Sequence, residues 1–118
     1  MFGENNQFSG TIPDNLGSLD LKKLHLDDNN FTGTIPATLG NAPNLEQLFL
    51  HGNGFTGTIP SSLANPEQLK DVTLHYNSLE GEVSNSICEN MYQNTLRTFS
   101  VDCETVTCEC CICGEPGI

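Results

Sequence analysis

One phrase recurs along this chain: NNQFSGTIP from Asn5, NNFTGTIP from Asn29, NGFTGTIP from Asn53 and the altered NSLEGEVS from Asn77. Its apolar anchors, Phe8, Phe31, Phe55 and Leu79, stand 23, 24 and 24 residues apart. A unit of that size cannot bury its own apolar face and has to stack on its neighbours, so a fixed period in this range constrains the fold to a solenoid. Function then falls on a repeated surface rather than on a catalytic cleft.

Written in full, one unit is Leu45, Leu48, Leu50, Asn53, Phe55, Gly57, Ile59, Pro60 and Leu63, or LxxLxLxxNxFxGxIPxxLxxxxx. The same positions recur from Leu21 and from Leu69. Apolar and variable residues alternate through Leu24–Leu26, Leu48–Leu50 and Val72–Leu74, as in a short half-buried strand. Asn29, Asn53 and Asn77 leave the strand, and a buried Asn there has to hydrogen-bond backbone of its own and the adjacent coil. Phe8, Phe31 and Phe55 are expected to stack as a column that Leu79 closes. Gly10, Gly33, Gly57 and Gly81 mark a bend with little room for a Cβ. Pro13, Pro36 and Pro60 end the following extended piece, because proline has no N–H for a ladder.

These residues resemble the plant-type leucine-rich repeat, whose signature (F/L)(S/T)GxIPxxLGxL is met by FSGTIPDNLGSL, FTGTIPATLGNA and FTGTIPSSLANP, within a resemblance running from Asn5 to Val101. The resemblance implies an α/β horseshoe-type solenoid: a concave parallel β-sheet, a second short strand near GxIP, and mostly turns and 3₁₀ structure on the convex side. It also implies a non-catalytic scaffold, secreted or part of a receptor-like ectodomain, that binds a protein or peptide through the concave strand face. It implies no cofactor.

Charge and motifs bound the function further. Fifteen acidic against four basic residues give a net charge of −11, which disfavours nucleic acid and anionic membranes as partners. No apolar run approaches the ~20 residues that cross a bilayer, so this chain is not expected to insert in one. A nucleophile elbow, HExxH and a phosphate-binding glycine loop are all missing, so an enzyme is not expected.

The two ends read differently. Counting back from Asn6 puts Gly3 where a strand leucine belongs, so the chain is expected to begin inside a coil, with a secretion signal and earlier coils preceding it. At the other end Leu96, Phe99 and Val101 repeat the strand spacing, and then Cys103, Cys108, Cys110, Cys111 and Cys113 crowd together, with Cys88 upstream. Six cysteines allow 15 pairings. A disulfide-bonded cap over the last coil is the expectation, a thiolate metal site the alternative. The division is therefore residues 1–101 as about four repeats, the first truncated, and residues 102–118 as a Cys-rich cap. Disulfides place the protein in an oxidising compartment, extracellular or at the cell surface. The tail also resembles endings of diatom and algal leucine-rich repeat proteins. Asn30–Phe31–Thr32 is a glycosylation sequon.

The resemblance assigns the variable strand positions to the concave face. Lined up by the repeat, they form rows about 4.8 Å apart from strand to strand: His25, Phe49, Thr73 and Ser100; Asp27, His51 and His75; Asp28, Gly52 and Tyr76. All three histidines thus share one face. Phe49 and Tyr76 beside them are the residue types that anchor protein contacts. His25, Asp27, Asp28, Phe49, His51, Thr73, His75 and Tyr76 are the candidate ligand-binding residues. A straight row of Asp27, His51 and His75 does not readily converge on a tetrahedral ion, so no metal is assigned. Two alternatives stand beside the binder: a structural spacer in a larger extracellular protein, and ice or flat-surface binding by ranks of Ser9, Thr32 and Thr56 and of Thr11, Thr34 and Thr58. Glu80 and Glu82 interrupt those ranks in the fourth copy.

Overall fold

A computed structural model of the chain describes residues 1–93 and 95–114. Among them the strands run β1 Ser9–Gly10, β2 Lys23–His25, β3 Asn30–Thr34, β4 Gln47–Phe49, β5 Gly54–Gly57, β6 Asp71–Thr73, β7 Ser78–Leu79 and β8 Gly81–Glu82. A helix, α1, spans Asn85–Gln93, and β9 Thr98–Val101, β10 Val106–Thr107 and β11 Ile112–Cys113 follow. The concave sheet is parallel in the order β11-β9-β6-β4-β2. Phe2 adds a bridge to His25, with Gly3 N–H donating to the His25 carbonyl at 2.7 Å. A second parallel sheet, β1-β3-β5-β7, follows the GxIP segments. The convex side consists of 3₁₀ turns at Asp14–Ser18, Ala37–Asn41 and Ser61–Ala64.

The strand leucines form the core as their spacing requires. Leu24, Leu48, Leu50, Val72, Leu74, Phe99 and Val101 are buried, joined by Ile35, Leu39, Ile59 and Leu63 from the other sides of the coils. The aromatic column is built too: the Phe31 and Phe55 rings stack at 6.3 Å and lie within 6° of parallel. Phe8 tilts by 38° and stays half-exposed, filling the space beside Gly3 where the other coils carry a leucine. Ile12 of the first coil is buried.

Each repeated asparagine bridges two coils. Asn53 Nδ2 donates to the carbonyls of Leu26 at 3.0 Å and Leu50 at 3.1 Å, and its Oδ1 accepts the Phe31 N–H at 3.1 Å. Asn77 does the same one coil on, and Asn29 one coil back with Gly3 and Leu26. The coils approach closely on the convex side, where a Cβ on Gly17 would strike the Thr38 carbonyl and one on Gly40 the Ser62 carbonyl. The third copy carries Ala64 at this position. It is accommodated because the next coil is wider: Leu48 steps to Val72 in 24 residues, but Val72 to Phe99 takes 27. The added length is α1, a helix where the repeat predicts a 3₁₀ turn. It buries Ile87, and Asn90 Nδ2 donates to the Ala64 carbonyl at 3.1 Å.

All six cysteines are paired: Cys88 with Cys110, Cys103 with Cys113, and Cys108 with Cys111. The first joins α1 to the tail, and the second holds β11 against the end of the concave sheet. Residues 115–118 of the expected cap lie outside the described residues. No helix among the described residues is long and apolar enough to cross a membrane.

Candidate ligand-binding face

The exact 24-residue register of the concave strands, His25 opposite Phe49 opposite Thr73, puts equivalent side chains next to one another. Aromatic rings therefore run across the face in contact. Phe2 meets His25 edge-on at 4.8 Å, and His25 stacks on Phe49 at 4.2 Å. Phe49 lies 6.3 Å from His51, His51 stacks on His75 at 4.6 Å, and His75 meets Tyr76 edge-on at 5.2 Å. Such pairs contribute about 0.5–1.5 kcal/mol each beyond burial, and they hold the rings as one rigid strip. Phe2 was not among the residues the repeat pattern selects, although carrying the register back one coil from His25 would have found it.

Polar partners fix the imidazoles. His51 Nδ1 lies 2.6 Å from Thr73 Oγ1, and its Nε2 lies 3.5 Å from Asp27 Oδ2. His25 Nε2 lies 2.9 Å from Gln47 Oε1, and the Gln47 amide donates to Asp71 at 3.2 Å. Arg97 completes that chain with two bonds to the Asp71 carboxylate, at 3.2 and 3.3 Å. Burial pushes the Asp71 carboxyl up, but the bonds from Arg97, Thr98 and Gln47 outweigh it and leave it below the usual carboxylate range. Gln47, Asp71, Arg97 and Ser100 are thus part of the face although only Ser100 stands in a row named above. Their signal in the sequence was their place beside the strand leucines.

His75 departs from expectation: it is 6 % exposed, not open to solvent. The tail crosses it, so that a Cβ on Gly114 would collide with its side chain. Its Nδ1 pairs with Ser100 Oγ at 2.7 Å. Burial, and then the neighbouring His51, lower its pKa below the ordinary value of 6.5, against Asp102 and Asp28, which raise it. Phe49, His51, Asp27 and Thr73 are half-buried, and Asp28 and Tyr76 are exposed. Beside Tyr76 a notch of ≈540 Å³ opens between Asn77, Asp102, Glu104 and Gly114.

Charge is sorted along the strands. Lys22, Glu46, Lys70 and Arg97 occupy equivalent positions, and the N–H of each of the last three donates to the carbonyl of the residue before it in this row at 2.7–2.8 Å. Lys22, Lys70 and Arg97, with Lys23, are all four basic residues of the chain, gathered where the strands begin. Asp27, Asp28, Asp102 and Glu104 lie where the strands end. Asn30 and Thr32 are exposed on β3, in the second sheet.

Residues 20–79 match the family model for the leucine rich repeat. No curated protein sequence matches the chain. Among solved structures it is similar to the ectodomain of the plant membrane receptor kinase GASSHO1/SCHENGEN3 from Arabidopsis thaliana, there in complex with CASPARIAN STRIP INTEGRITY FACTOR 2. The identity is 37 % over 73 % of this chain and 10 % of that one, with a TM-score of 0.71. It is similar to Pollen Receptor Kinase 3 at 35 % identity over 95 % of this chain and 50 % of that one, TM-score 0.69. A plant ice-binding protein matches at 26 % identity over 86 % of this chain and 32 % of that one, TM-score 0.71. The chain thus spans half or less of each of these proteins. With its period, both sheets and the asparagine ladder in place, the chain belongs to the leucine-rich repeat family, in the plant-type form seen in receptor-kinase ectodomains.

Proposed function

We propose that this chain is an extracellular, non-catalytic scaffold that binds a protein or peptide across its concave sheet. The observation that supports it best is the strip Phe2–His25–Phe49–His51, continued beneath the tail by His75 to Tyr76, whose rings are locked in place before any partner arrives. Rigid aromatics at the centre of a surface are what binding hot spots are made of, because little side-chain entropy is lost on contact. The sorted charge gives the partner a direction. An extended peptide lying along the strands would place acidic groups over Lys22, Lys23 and Lys70 and basic groups over Asp27 and Asp28. The Arabidopsis ectodomain in complex with CASPARIAN STRIP INTEGRITY FACTOR 2 is consistent with this use of the fold, and three disulfides fit an oxidising compartment.

Selection of peptides from a display library on the oxidised protein tests the reading. Selected peptides should lose about tenfold or more in affinity to Phe49→Ala, a loss near 1.4 kcal/mol, and none to Thr56→Ala on the second sheet. No enrichment, or binders indifferent to Phe49→Ala, would refute it and favour a spacer. Asn30 is proposed as glycosylated. Intact mass of protein secreted from a eukaryotic host should exceed that of Asn30→Gln by one glycan, and equal glycan content would remove the assignment.

A second reading rests on the exposed Thr32, Thr34 and Thr56 of the second sheet and Thr58 just past it, together with the similarity to a plant ice-binding protein. That sheet pairs Thr34 with Thr56, two residues off the 24-residue repeat, so the ranks run obliquely and not straight across. Measurable thermal hysteresis that Thr34→Lys abolishes would establish it, and its absence would dismiss it.

A further inference from the structure

We infer that Asp27, Asp28 and His51 form a binding site for a divalent first-row transition-metal ion of the zinc class. The straight row Asp27, His51, His75 does not converge, but the chain turns at Asp28, whose φ of 57° lies in the left-handed region. That turn swings the Asp28 carboxylate over Gly52 in the next coil, where its Oδ1 takes the space a Cβ would need. One donor atom from each of Asp27, Asp28 and His51 then lies within 4.8 Å of the others. His51 Nε2 and Asp27 Oδ2 are 3.5 Å apart, close to the roughly 3.3 Å between two ligands of a tetrahedral zinc. The exposed Asp28 has to close by up to about 1.5 Å to complete the geometry.

Three further observations point at an ion rather than at a simple Asp–His pair. Asp27 Oδ1 is one of three buried side-chain oxygens without a hydrogen-bond partner among the described residues, an arrangement that is costly for a carboxylate unless a cation neutralises it. His51 is oriented from behind: Nδ1 lies 2.6 Å from Thr73 Oγ1, and in the tautomer that donates Nδ1–H to that hydroxyl, Nε2 carries the free lone pair. Finally, a chain of net charge −11 concentrates cations at its surface. Two carboxylates and one imidazole suit zinc or manganese, whereas calcium needs six or more oxygens that the cluster lacks. Three protein ligands leave the remaining positions open toward the concave face.

The experiment is calorimetric titration of Zn²⁺ into the oxidised protein, in which no cysteine is a free thiolate, with a Co²⁺ spectrum as the second readout. One ion per chain is expected, with visible bands of a four- or five-coordinate nitrogen–oxygen site. Asp28→Asn and His51→Gln should abolish saturable binding. Thr73→Val, which removes the group orienting His51, should weaken it about ten- to a hundredfold. His25→Gln should leave it unchanged. Zn²⁺ should raise the Tm of the native sequence but not that of Asp27→Asn, whose metal-free Tm stays at or above the native one because a buried charge is gone. Absence of saturable binding, or binding that survives both Asp28→Asn and His51→Gln, would overturn the site.

Discussion

The interior coils and the last coil hold themselves together by different chemistry. Between coils the joint is an asparagine amide: Asn29, Asn53 and Asn77 each donate to carbonyls of two successive turns and accept the N–H of the phenylalanine one coil back. At the C-terminal end the joint is a carboxylate and three disulfides. Asp102 accepts the N–H groups of Tyr76 at 2.9 Å and Asn77 at 3.0 Å, and the tail is tied back through Cys88 and Cys103. A joint that repeats with the period can be made of local hydrogen bonds, because every coil offers the same carbonyls in the same place. Three residues past Val101, where the other coils carry that asparagine, stands Glu104, whose carboxylate cannot donate to those carbonyls, and disulfides tie the tail back instead.

Breaking an interior joint is expected to cost most. Asn53→Ala strips partners from two carbonyls and from the Phe31 N–H, all in half-buried backbone, at about 1–1.5 kcal/mol each, or roughly 4 kcal/mol. Equilibrium denaturation of the oxidised protein measures it. Removing the Cys88–Cys110 bond as a double Ser variant comes next, at about 3 kcal/mol for a 22-residue separation, whereas Cys108–Cys111, three residues apart, contributes only about 1.5 kcal/mol. If the two disulfide variants lost equal stability, chain closure would not be what the cap contributes. Asp102→Asn should cost least of these, about 1 kcal/mol, since the amide oxygen keeps one of the two N–H partners and faces the other with an NH₂.

The same division explains what could be read without coordinates. Strand positions such as Leu48 and Val72, the bridging role of Asn53 and the pairing of Phe49 with His25 followed from periodicity alone, because stacking turns a sequence interval into a contact. Where the interval changed, that logic stopped. Ile87 and Met91 stand four apart, a helical spacing, yet the expectation of another 3₁₀ turn masked α1. The burial of His75 depends on Gly114, hence on which of 15 cysteine pairings forms, and spacing does not select among them. The inward swing of Asp28 needed its backbone angle, which the sequence suggests only in that Asp tolerates that region.

The smallest expected effect separates the buried histidine from the open ones. His75 has a native pKa below 6.5, depressed by burial and by His51, so the unfolded chain takes up its proton first. The stability that His75 contributes is whole above about pH 6.5 and is lost as pH falls from there through the native value. Asp71 acts in the same direction but lower. Its carboxyl is held below 3.8 despite burial by the bonds from Arg97, Thr98 and Gln47, so its contribution fades only as pH drops under that value. Melting curves between about pH 8 and about pH 3 should therefore decline in two stages. His75→Gln should flatten the upper stage alone, and Arg97→Ala the lower alone. A His75→Gln protein with the native upper stage would mean that the tail does not shut this ring away from water, and that the cap ends short of the concave face.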